Sequence, residues 1–98
     1  MKQPSSNARE AAEILAIQAL GFIAEEPERL GVFLNATGLS VERLRESANA
    51  PGFLAGVLDH MLADESLLLA FATAAALDPA EVARARNALG REWERDIP

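Results

Sequence analysis

The chain has 98 residues, half of them hydrophobic, with no cysteine and a formal net charge of −6. That length fits one domain with a modest core, and the apolar share excludes disorder over most of it. The missing cysteine excludes a disulfide framework and a thiolate site, no stretch approaches the roughly 18 uninterrupted apolar residues of a membrane span, and the acidic balance disfavours phosphate backbones and anionic lipid as partners.

Alanine makes up about a fifth of the chain, which favours helices because alanine loses no rotamer freedom on becoming helical. The opening "MKQPSSNARE" is polar and lacks the apolar run of an export signal. The expected compartment is therefore the cytoplasm. Residues 1–6 read as a flexible tail, and residues 7–90 as a single helical domain. Asn7 with Glu10 has the capping spacing that starts a helix. The stretch that follows, "AREAAEILAIQALGFIAEE", is apolar almost all round, the pattern of a central helix covered on most sides.

Pro27 suits the first turn of a second helix, "PERLGVFLNAT", which Gly38 stops. Ser40 can cap a short third helix, "VERLRESA". Asn49 or Ala50 precedes Pro51, which opens "PGFLAGVLDHMLA". Asp64 can cap "ESLLLAFATAAA". Asp78, Pro79 and Glu81 form the strongest helix start: cap, first-turn proline and reciprocal glutamate. That last helix, "PAEVARARNAL", stops at Gly90, and "REWERDIP" (91–98) reads as a charged tail. No window alternates apolar and polar residues for long. The expected fold is all-α, a compact bundle of about six short helices. The first helix and the one spanning Glu65–Ala76 are expected near its centre.

A weak internal echo recurs at a spacing of 38: Leu20, Leu30, Phe33, Ala36 and Leu39 return as Leu58, Leu68, Phe71, Ala74 and Leu77. Leu44 meets Val82, and Asn49 meets Asn87. Each half would run helix, helix, turn, short helix, giving two similar three-helix halves around one core.

The polar residues that could carry chemistry gather at Asp59, His60 and Asp64. His60 and Asp64 share a helical face, yet catalytic zinc needs about three protein ligands. The chain has one histidine and no cysteine to supply them. Structural roles account for both residues: Asp64 as a cap for the following helix, His60 in a last turn where partial positive charge is favoured. Asp59 interrupts an apolar run beside the face formed by Leu54, Val57, Leu58, Met61 and Leu62. It is either half-buried against Arg43, Arg45, Arg84 or Arg86, or an ordinary exposed acid. No catalytic residue, cofactor site or metal site is expected.

The serines lie in the tail, at helix ends or at caps, not in a strand–turn–helix elbow. The glycines form no phosphate-cradling loop. "TGLSVERLRE" resembles a helix-turn-helix corner in its turn length, but Glu42 and Glu46 cancel Arg43 and Arg45. Near the end, Glu92 and Glu94 follow Arg84, Arg86 and Arg91, so that stretch reads as a solvated face. "LLLAFATAAA" carries no charge. Two such apolar helices exceed what a chain this small can bury, so Leu67, Leu68 and Phe71 mark a candidate interaction face.

"IQALGFIA", "VFLNATG", "PGFLAGVLDHMLADE" and "RARNALG" together resemble a family of small bacterial proteins, domain-of-unknown-function family 3572. The resemblance covers roughly Ala11 to Gly90, and its most specific piece is Pro51-x-Phe53-Leu54-x-x-Val57-Leu58-Asp59 followed by Asp64. It implies acids at Asp59 and Asp64 and an aromatic position where this chain has His60. It implies no reaction.

The expectation is a non-enzymatic interaction module, meeting an unknown protein partner or a second copy of itself, with no nucleic acid and no membrane. The first alternative is a helix-turn-helix domain associated with nucleic acid or a transcription regulator. The second is a small metal protein or enzyme centred on Asp59, His60 and Asp64.

Overall fold

A computed structural model describes residues 4–48 and 52–90. They form six helices: α1 (Pro4–Ala24), α2 (Pro27–Thr37), α3 (Val41–Ser47), α4 (Phe53–Leu62), α5 (Glu65–Ala75) and α6 (Pro79–Leu89). There is no strand among the described residues. The sequence therefore reads correctly as an all-α bundle.

Local chemistry sets most of the boundaries. The Ser40 hydroxyl accepts from the Arg43 N–H at 3.2 Å. The Asp64 carboxylate accepts from the Leu67 N–H at 3.2 Å. Asp78 accepts from the Ala80 N–H at 2.9 Å, while Glu81 reaches back to accept from the Asp78 N–H at 3.2 Å. Each satisfies donors that a helix start leaves without an intrahelical partner. Gly38 ends α2 in the left-handed region at φ 75°. Ala76 ends α5 the same way at φ 57°, which costs an alanine steric strain that a glycine escapes.

Two starts differ from expectation. α1 begins at Pro4, so Asn7 lies inside the helix and does not cap it. A proline is already preset for the first helical position, and it outranks the Asn7–Glu10 spacing. α4 begins at Phe53 after Gly52, which has φ 83°. Asn49, Ala50, Pro51 and the tail 91–98 lie outside the described residues.

The core is built where α1, α4 and α6 meet, the three most extensive helix contacts in the bundle. Ala12, Ala16, Ala19 and Ile23 of α1 face Val57, Leu58 and Met61 of α4 and Val82, Ala85 and Leu89 of α6 in one hydrophobic cluster. The three alanines along α1 let the other two axes come close. Arg9 ties the two ends of this layer by donating to the Leu89 carbonyl at 3.0 Å. An arginine there also complements the negative end of α6.

The expectation of a central α5 is overturned: α4 holds that place. α5 buries only Phe71 and Ala72, and its Leu69 is 47% exposed. Its uninterrupted apolar run contains many alanines, which cover little area whichever way they face. α1 is also covered along one side only, with Ile14 and Ile17 outward.

The echo at 38 is structural. The ends of α1 and α4 (Ala24, Leu62), the spans of α2 and α5, the left-handed caps Gly38 and Ala76, and the N-caps Ser40 and Asp78 all stand 38 residues apart. Within each half the same closing bond recurs: Leu39 N–H to Leu34 O at 3.1 Å, and Leu77 N–H to Ala72 O at 2.9 Å. The halves also exchange side chains reciprocally. The Phe22 ring lies 5.6 Å from Phe71, and the His60 ring lies 5.1 Å from Phe33. Position 60 repeats 22 and position 71 repeats 33, so one contact is made twice, as across a twofold axis.

Candidate functional site

Asp59, His60 and Asp64 sit on or just beyond the last turns of α4, and Asp59 faces away from the other two. Arg86 of α6 donates through Nε to Asp59 Oδ1 at 2.7 Å, and through Nη1 to the Gly90 carbonyl at 3.0 Å. The aspartate stays 58% exposed while the arginine is 23% exposed. The two readings of Asp59 thus merge: it is an exposed acid, and Arg86 is its partner.

His60 turns the other way, toward α2. It is half-buried and meets Phe33 at an interplanar angle of 80°, edge to face. That geometry suits the quadrupole of the rings. With Glu28, Arg29, Val32, Asp64 and Leu67 it lines a surface depression between α2, α4 and α5. Asp64 spends its carboxylate on the backbone of α5. No group of three or more His, Asp or Glu side chains suited to a metal ion occurs among the described residues. Asp59 thus pairs with Arg86, while His60 and Asp64 line one depression and make separate contacts, with Phe33 and with the Leu67 N–H.

The repeat explains what His60 does. Its counterpart Phe22 packs on Phe71 and carries the Arg29 guanidinium 3.9 Å above its ring. Arg29 also donates to the Phe22 carbonyl and pairs with Glu26 at 3.2 Å. The same architectural position holds phenylalanine in one half and histidine in the other. The echo at 38 already aligned these two positions, so the aromatic role of His60 could have been read from it.

The helix-turn-helix corner places Arg43 and Arg45 outward, with Glu42 and Glu46 equally outward. α3 is seven residues long, about two turns.

Of the candidate face, Phe71 is 2% exposed, and Leu67 and Leu68 are half-buried against the core. The outward leucine of α5 is Leu69, and the larger apolar exposure lies on α1, where Ile14 is 60% and Ile17 58% exposed. Ile14, Ile17 and Gly21 follow the helical spacing that makes a continuous stripe. Glu10 precedes it by one turn and Glu25 follows it by one, both exposed. A Cβ built at Gly21 would meet no other atom of the chain within 4 Å. The sequence hid this stripe because α1 is apolar almost all round from Ile14 to Ala24, with the exposed Gln18 alone to mark the outward side.

A family model described as "Protein of unknown function (DUF3572)" matches residues 9–92. No curated protein and no solved structure matches the chain.

Proposed function

The chain belongs to the DUF3572 family of proteins of unknown function, and we propose that it is a non-enzymatic interaction module whose docking surface is the outer stripe of α1. The observation that carries this is the exposure of two β-branched residues one turn apart, Ile14 at 60% and Ile17 at 58%. On that helix Ala12, Ala16, Ala19 and Ile23 are buried, while Ile14 and Ile17 are left to the solvent. Adjacent exposed apolar residues framed by acids fit a protein-binding surface. The structural contacts of Asp59 with Arg86 and of Asp64 with the start of α5 support a role without chemistry at that cluster.

The test is a photo-crosslinking residue at position 17, with one at position 42 as control. The expected result is a discrete adduct from position 17 that Ile14→Glu abolishes. Because Ile14 is exposed, that variant should melt like the parent, unlike a charge placed at Phe71. Equal labelling from both positions would overturn the proposal.

A further inference from the structure

The two halves differ in how their third helix is seated. In the second, α6 lies on α4: Arg86 reaches Asp59 at 2.7 Å, and Ala55, one turn back on that face, is 8% exposed. The counterparts of Ala55 and Asp59 in the first half are Ile17 and Gly21. Ile17 is 58% exposed, because α3, the counterpart of α6, makes no extensive contact with α1. α3 has seven residues where α6 has eleven. Val82 of α6 is fully buried, whereas its counterpart Leu44 is only half-buried. One helix seat is thus filled within the chain and its repeat is left open.

We infer that the open seat takes an amphipathic helix of another protein, apolar along its middle and basic toward both ends; this rests on the interaction reading above. The filled seat shows the type of occupant: α6 offers the ridge Val82, Ala85, Leu89 and one arginine for the seat's acid. On the open seat the acids stand at the ends, Glu10 and Glu25, about 22 Å apart along the axis at 1.5 Å per residue. Between them lie Ile14, Ile17, Gly21 and, at the edge, the exposed Gln18, and the glycine lets a second backbone approach closely. A second copy fits poorly. Antiparallel pairing of two such stripes would bring Glu10 of one toward Glu25 of the other, between chains that each carry a net charge of −6.

The test titrates the full chain onto a labelled, hydrocarbon-stapled peptide helix about five turns long, with a leucine–alanine ridge and an arginine pair near each end. A twin carries glutamate in place of the arginines. The arginine helix should bind saturably, at least about tenfold tighter than the twin, and more weakly as salt rises. Ile17→Glu and Gly21→Leu should each weaken it about tenfold without lowering the thermal melt, which the glycine change should raise, and Val41→Glu should not weaken it. The double variant Glu10→Arg with Glu25→Arg should reverse the preference toward the glutamate twin. Equal binding of both helices, or α1 variants that bind like the parent, would overturn the inference. A chain that binds neither helix but self-associates through Ile17 would also overturn it, and would leave the interaction reading standing. A monomer that binds neither and crosslinks nothing from position 17 would end both.

Discussion

His60 stands where Phe22 stands one repeat earlier, and each ring crosses to a phenylalanine of the opposite half, at 5.1 Å and 5.6 Å. The imidazole is used here as an aromatic edge. His60→Phe should therefore leave stability within about 0.5 kcal/mol, while His60→Ala should cost about 1–2 kcal/mol from lost ring contact and burial. Urea denaturation of the two variants decides. A phenylalanine worse than the alanine would mean that the ring nitrogens matter.

Asp59 and Arg86 should respond unequally. The aspartate is 58% exposed, so Asp59→Ala should cost no more than about 1 kcal/mol, and less at high salt. Arg86 is better covered and also holds the Gly90 carbonyl. Arg86→Ala should cost about 1 kcal/mol beyond the aspartate change, from lost packing and a second lost bond. Chemical denaturation at low and high salt reads both.

The repeated left-handed caps make a reciprocal pair. Ala76→Gly should stabilise by about 1 kcal/mol by removing the strain at φ 57°. Gly38→Ala should destabilise by about the same amount at φ 75°. Thermal melts moving in the same direction for both would show that the backbone term is not the dominant one.

Asp64 offers a test of cap against ligand. Asp64→Asn keeps an oxygen for the Leu67 N–H and should cost little, whereas Asp64→Ala should cost about 1 kcal/mol. Loss of stability on the asparagine change, restored by a divalent ion, would mark Asp64 as a metal ligand instead.

The relative standing of α4 and α5 is measurable in one comparison. Leu58 is fully buried and Leu69 is 47% exposed. Leu58→Ala should cost about 2–5 kcal/mol and Leu69→Ala less than about 0.5 kcal/mol. Guanidinium midpoints at unchanged slope give the answer.

What could be read in advance was what depends on near neighbours in the chain. Ser40, Asp64 and Asp78 with Glu81 cap where the residues themselves say they should, because a cap is settled within three or four positions. Asn7 fails as a cap because Pro4 competes within the same few residues. The choice of core helix was not legible. α5 carries no charge after Glu65, whereas Asp59 and His60 interrupt α4 at its flanks, and yet Val57, Leu58 and Met61 close the centre. The partner of Asp59 lay among four arginines, and only the crossing of α4 and α6 selects Arg86. The stripe on α1 was hidden by the reverse problem, a helix on which Gln18 is the one polar residue between Ile14 and Ala24 to mark where the solvent lies.

The bond from Arg9 to the Leu89 carbonyl sets a timetable for the nascent chain. The alanine face of α1 is made first, yet α6, which covers most of it, is made last among the described helices. A ribosome that has delivered only the first repeat therefore holds a half-sandwich with its inner surface open, and the two ends can meet only after Leu89 has emerged from the exit tunnel.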